Sequence, residues 1–262
     1  MKTKLIIAAA LIVCACNPVV TDLDKYALNC RASKISVQSD TLEYSYDVWF
    51  NARGQVELMK RYNFDGSFRY REEYNYDKSG HLAEIQGINA DEETEARYEY
   101  DWSGRFISEC RVYGMNNQEI HRWVHHNNGR HITRTEYYAE GEPSYTTVKH
   151  FKGHSYDEES VTAEGELMGR GHIDFLTEEK PIRIQSDAVN VEIDYNEKGL
   201  PIRSKGAVLN SIGEMQWVNS LEDFPERFYT YEYDERGNWI SRAEKVHPDS
   251  TAVAVLKRTI TY

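Results

Sequence analysis

The heptapeptide YEYDERG at 231 to 237 recurs along the chain, and a turn repeated at fixed spacing restricts the fold more than any other feature of this sequence. Glycines stand at 54, 80, 104, 129 and 153, spaced by 24 to 26 residues; Lys180 holds the next place, and the series resumes at Gly199 and Gly237. A period in this range marks a repeat architecture, in which each unit buries its apolar face against its neighbours. Three positions before the glycines stand Asn51, Asp77, Asp101, His126, Asn196 and Asp234. Four before stand Phe50, Tyr76, Tyr100, His125, Tyr195 and Tyr233, and six before stand Val48, Tyr74, Tyr98, Trp123, Ile193 and Tyr231. The position between these two columns is mostly polar. Such two-residue alternation belongs to a half-buried strand, and aromatic side chains favour its pleated surface. The Asp or Asn caps the turn with its side chain, and the glycine accepts the left-handed backbone that follows a type I turn.

A second, looser set of turns lies between the glycine turns, at Asp65-Gly66, 90 to 94, 114 to 118, 139 to 144 and 163 to 169. The chain therefore reverses about every 12 residues, predicting an all-β antiparallel meander of repeated hairpins with roughly sixteen to eighteen strands. An open twisted sheet of that size curls. The expectation is a curled, elongated or barrel-like sheet with the tyrosine columns on its enclosed side. The columns lapse between Gly153 and Lys180, and an insertion near 207–228 carries a segment, 214 to 228, that predicts a helical turn.

The opening MKTKLIIAAALIVCAC joins two lysines to an apolar run from Leu5 to Val13, the pattern of a secretory signal and too short for a permanent membrane span. Val13-Cys14-Ala15-Cys16 is similar to the bacterial lipobox, which implies acylation of Cys16. The resulting division is a signal peptide over 1–15, a lipid-anchored tether over 16–35 and a repeat domain over 36–262. An acylated N-terminus holds a soluble domain at a membrane surface. Cys30 and Cys110 are then a candidate disulfide in an oxidising compartment, or two small buried side chains; spacing does not choose between them. Formal charge is −12, and loss of Lys2 and Lys4 with the leader makes the mature chain more negative still. Such a surface repels phosphate backbones, which excludes nucleic acid as an expected partner.

The Tyr-x-Tyr-Asp-x-x-Gly of YNYDKSG (74 to 80), YEYDWSG (98 to 104) and YEYDERG (231 to 237) resembles the YD repeat of the RHS family. IDYNEKG (193 to 199) matches in part and WVHHNNG (123 to 129) weakly, and the resemblance spans residues 43 to 262. It implies a large β-sheet architecture and an association with carbohydrate binding. The chain is shorter than the shell-forming members, and no toxin region is expected after the last strand.

No G-x-S-x-G, phosphate-binding loop, H-E-x-x-H or EF-hand motif is present, so no catalytic residue, metal or cofactor is expected. With 43 carboxylates, a close pair is inevitable and carries little meaning. His121, His125, His126 and His131 fall in one hairpin, where an imidazole cluster is geometrically feasible, but His125 occupies a column held elsewhere by tyrosine. Trp102, Trp217 and Trp239 are the candidate ligand-binding aromatics. A membrane-spanning barrel is disfavoured because the faces opposite the tyrosines carry Glu, Arg and Lys. The functional expectation is a non-catalytic, lipid-anchored envelope protein of the outer membrane, its membrane face left open, acting as a binding or scaffold module for a protein or glycan. The alternatives are a carbohydrate-binding lipoprotein and a hydrolase with an unrecognised carboxylate pair.

Overall fold

The structure is a computed structural model that describes residues 22–40, 44–127, 131–138, 143–177, 180–186, 190–206, 208–209, 215–216 and 226–262. Cys16, Gly129, Trp217 and most of the insertion lie outside the described residues. A single helical turn, α1 (Asp22–Lys25), precedes the strands. The first strands are β1 (Lys34–Ser39), β2 (Tyr44–Phe50), β3 (Val56–Asn63), β4 (Phe68–Tyr76), β5 (Leu82–Asn89), β6 (Thr94–Ser103) and β7 (Phe106–Gly114). There follow β8 (Glu119–Asn127), β9 (His131–Tyr138), β10 (Pro143–Lys152), β11 (Ser155–Thr162), β12 (Leu167–Thr177), β13 (Lys180–Ser186), β14 (Asn190–Tyr195) and β15 (Pro201–Lys205). A short ladder, β16 (Val208–Leu209) with β17 (Met215–Gln216), stands apart from the main sheet, which ends with β18 (Arg227–Tyr233), β19 (Trp239–Lys245) and β20 (Ala254–Thr261).

The main sheet has 18 strands, and consecutive strands pair antiparallel from β1 through β15, then through β18, β19 and β20. β1 also pairs along its other edge with β20, Ile35 opposite Ile260 and Val37 opposite Arg258. The meander thus curls until its last strand meets its first. The narrowest ladder is β15 with β18, where Arg203 faces Phe228 and Ser204 faces Arg227.

At Gly54, Gly80, Gly199 and Gly237 the chain reverses in a turn capped by Asn or Asp. At 51 to 55 the Gly54 amide donates to the Asn51 carbonyl and the Asn51 side chain accepts from the Arg53 and Gln55 amides. Asn196 and Asp234 cap their own turns in the same way. Gly104 differs. There β6 and β7 run on until Ser103 faces Phe106, leaving a two-residue loop of Gly104 and Arg105, so this reversal is tighter than that at Gly80.

Register slips by one residue before Gly80, Gly104, Gly199 and Gly237, as between Asn75 and Tyr76, and beside each of these four slips an aromatic side chain links one copy to the copy before it. The Tyr76 hydroxyl donates to the Val56 carbonyl at 2.8 Å, two residues past Gly54. The Trp102 indole N–H donates to the Leu82 carbonyl at 2.7 Å, two past Gly80. Tyr195 donates to the Pro181 carbonyl at 3.0 Å, and Tyr231 to the Pro201 carbonyl at 2.8 Å, two past Gly199. After the last glycine turn the donor is Arg258, whose Nε reaches the Trp239 carbonyl at 2.7 Å, two past Gly237. Burial raises the pKa of the Tyr76, Tyr195 and Tyr231 phenols, keeping each protonated as a donor.

The tyrosine columns occupy the enclosed face. Ile35, Val37, Tyr46, Val48, Phe50, Val56, Met59 and Leu256 pack with residues of the N-terminal segment in one cluster. A second cluster gathers Tyr156, Ile173, Phe175, Ile184, Val191, Ile193 and Tyr229, and a third gathers Tyr100, Ile107, Cys110 and Val112. Ion pairs also occur on this face, Lys149 with Glu158 at 3.3 Å and Arg227 with Glu244 at 2.8 Å. The outward face is a lattice of cross-strand charge. Arg97 sits between Glu84 and Glu99, Arg111 reaches Asp101 at 2.8 Å, and Arg203 joins Asp194 and Glu226. Each exposed pair adds at most about 1 kcal/mol. Together they make a face unlike the apolar band that lipid requires of a membrane-spanning barrel.

Glycine turns differ in what surrounds them. A Cβ on Gly54 (φ 77°) would lie 2.8 Å from the Leu23 side chain, whereas one on Gly104 (φ 64°) would meet nothing within 4 Å. Gly104→Ala is expected to lose about 1 kcal/mol from backbone strain alone, and Gly54→Ala distinctly more because Leu23 must move. Urea unfolding of the two variants measures the difference; equal losses would contradict the close seat of α1 on the first turn.

Candidate functional site

The glycine turns, the start of β1 and the end of β20 all lie at one end of the strands, and residues 22–33 run across that end. α1 is fixed by Asp22, whose carboxylate accepts from the Val56 amide at 2.7 Å and lies 3.1 Å from the Tyr76 hydroxyl; burial raises the Asp22 pKa against these bonds. Ala27 turns the chain with φ of 49°. Tyr26, Leu28 and Ala32 are then buried, the Tyr26 ring meeting Phe50 edge-on at 5.5 Å. Residues 22–33 of the expected tether are therefore packed against the sheet. The apolar side chains of this segment explain why: left in water they would forfeit about 1.5–3 kcal/mol for each large side chain.

Two buried polar residues tie the segment down. Arg258, 4% exposed, donates from Nη1 to the Tyr26 carbonyl at 2.6 Å while its guanidinium lies 3.9 Å over the Trp239 ring. Burial pulls its pKa down to about 10. Asn238, fully buried, accepts the Asn29 amide at 2.6 Å and donates to the Tyr262 hydroxyl at 2.8 Å; that hydroxyl in turn bonds Asp234. Asn29 also donates from Nδ2 to the Gly237 carbonyl at 2.8 Å.

Between the segment and the later turns lies a cleft of about 150 Å³, with Ala27, Leu28 and Asn29 on one wall and Lys180, Lys198, Leu200, Tyr233, Gly237 and Trp239 on the other. Lys198 Nζ lies 3.7 Å over the Tyr233 ring and donates to the Gly237 carbonyl at 3.1 Å. No lining residue is a carboxylate, histidine, serine or cysteine, so the cleft has none of the usual nucleophile and base pairs. Its volume is below the roughly 300 Å³ at which small-molecule sites begin. It offers two ammonium groups and an aromatic edge, which is binding chemistry on a small scale.

The other sequence-predicted residues are dispersed. Trp239 is 6% exposed beneath Arg258, and so is a packing residue and no open platform. Trp102 is half-buried, with its N–H given to Leu82 and its ring stacked on His81 at 4.7 Å. Cys30 and Cys110 are not joined by a disulfide, so of the two alternatives the structure carries the unbridged one. Cys30 sits beside Asn238 at the turn end, its sulfur 3.6 Å from Nδ2, whereas Cys110 is buried in the cluster of β6 and β7, several strands away. His121 and Trp123 share the enclosed face, their rings 4.9 Å apart, and no group of three ligands able to hold a metal occurs among the described residues. Arg258 and Asn238 were not anticipated. The only signal for them is that Arg258 falls on the Leu256 and Ile260 side of the alternation in β20.

No family model matches the chain, and no curated protein matches it. Among solved structures, a porin-like protein from Bacteroides uniformis is 10% identical with a TM-score of 0.41, covering 87% of this chain and 97% of that one. A porin-like protein from Bacteroides vulgatus is 11% identical with a TM-score of 0.40 over the same shares, 87% and 97%. The Tc holotoxin pore of Photorhabdus luminescens is 10% identical with a TM-score of 0.32; the match covers 83% of this chain and 13% of the toxin chain.

The polar tie at the turn end is testable through Asn238→Ala. The change leaves the Asn29 amide without its acceptor and should lower stability by about 1–3 kcal/mol. Trypsin cleavage after Lys25 or Arg31 should accelerate in native buffer, and unchanged cleavage there would contradict the role given to Asn238.

Proposed function

We propose that this chain is a lipid-anchored β-repeat protein of a bacterial envelope, built of YD-type hairpins, that serves as a binding or scaffold module and carries out no catalysis. The observation that carries the reading is the junction of leader and fold: an apolar signal ending at Cys16 is followed, from Asp22, by a segment packed into the sheet. An acyl chain on Cys16 would thus be coupled to a folded body with little slack between them. The binding reading is supported by the two ammonium groups and aromatic edge of the cleft, and the aromatic donors of the columns are used within the fold. Those same contacts leave Trp102 and Trp239 poor candidates for stacking on sugars, which favours a protein partner over a glycan.

The test is Cys16→Ser in the full-length chain. The wild-type protein should fractionate with membranes and yield an N-terminal peptide bearing acyl mass on Cys16. The variant should lose the acyl mass and appear in the soluble fraction. A variant that still sediments with membranes would overturn the anchor.

A further inference from the structure

The two ends of the strands differ in charge. Connections at the end opposite the glycine turns carry Asp65, Asp91, Glu92, Glu93, Glu164 and Glu166, and among the described residues of those connections there is no Lys or Arg. The turn end, in contrast, carries Lys25, Arg31, Arg53, Lys78, Arg105 and Arg236 among a similar number of carboxylates. From this polarity and the exit point of the N-terminal segment we infer that the glycine-turn end rests against the lipid headgroups, with the acidic end projecting away. The inference rests on the anchored reading above and adds to it an interaction surface with a stated partner, an anionic bilayer.

Reach fixes the first half of the argument. Five residues lie between Cys16 and Asp22, six steps with a contour of at most about 21 Å, and Asp22 is bonded to Val56 and Tyr76 beside the first two glycine turns. The turn end is therefore held within that distance of the surface. Charge fixes the second half. Bacterial anionic lipids repel carboxylates within a Debye length of about 8–10 Å. Strands mostly of seven to ten residues set the acidic end roughly 25 Å from the turn end, outside that range. Inverting the body would press the carboxylates onto the headgroups and stretch the link across the full height of the sheet. Phe64 and Met115 are exposed at the acidic end, but Asp65 beside Phe64 opposes its insertion into lipid.

The full-length protein, reconstituted in vesicles containing phosphatidylglycerol, tests this by amine labelling with a membrane-impermeant reagent read by mass spectrometry. Lys25, Lys78 and Lys152 are exposed at the turn end, and Lys205 and Lys257 are exposed away from it. Relative to the chain extracted in a nonionic detergent, labelling of the first three should fall several-fold on vesicles while that of Lys205 and Lys257 stays the same. Equal labelling of both groups, or protection of Lys205, would overturn the orientation. The N-terminal peptide in the same digest separates the two readings. An uncleaved leader would end the acyl-anchor account, yet the chain would remain tethered through its N-terminus and the lysine pattern would still decide which end faces lipid.

Discussion

A hairpin repeat has to solve one problem at every copy: where the chain reverses and register slips, a backbone carbonyl and a large aromatic ring from the next copy meet in an enclosed space. Val56, Leu82, Pro181, Pro201 and Trp239 supply the carbonyls, and Tyr76, Trp102, Tyr195, Tyr231 and Arg258 supply the donors. An unmade bond at such a position costs about 1–3 kcal/mol, more than the bond itself contributes net. The donors are therefore restricted to residues that combine a broad apolar body with a polar tip. This explains why tyrosine dominates the columns, and why the step after the last glycine turn uses an arginine laid over a tryptophan.

The same requirement accounts for the N-terminal segment. Once the sheet has curled, its turn end presents Phe50, Val56 and the aliphatic face of Arg258 to solvent unless something covers them. Tyr26 and Leu28 do so, and the carbonyl of Tyr26 receives the Arg258 donor that the strands leave over. The body and its cover therefore act as one unit.

Much of this was legible in the sequence because the period-two pattern and the capped glycine turn are local. Gly54, Gly80, Gly199 and Gly237 all have positive φ at capped reversals, and the columns of Val48, Tyr100 and Ile193 face inward. What escaped was non-local. The carbonyl acceptors leave no trace in side-chain identity, and the pairing of β1 with β20 joins residues more than 200 positions apart. Trp239, next to a turn, read as exposed because its cover is distant in sequence: the Arg258 guanidinium of β20 lies over its ring. For Cys30 and Cys110 spacing left a bridge and two separate side chains equally open; the segment docks beside β19 while Cys110 lies on β7.

The link between copies is most directly tested by removing single hydroxyl groups. Tyr195→Phe and Tyr231→Phe each delete one donor and keep the ring, so each should lose about 1–2 kcal/mol in urea unfolding. Tyr62→Phe, whose outward hydroxyl makes only a long 3.4 Å contact with Asp47, should stay within about 0.5 kcal/mol of the parent protein. If all three variants unfold at the parent midpoint, the carbonyl links do not hold the copies together.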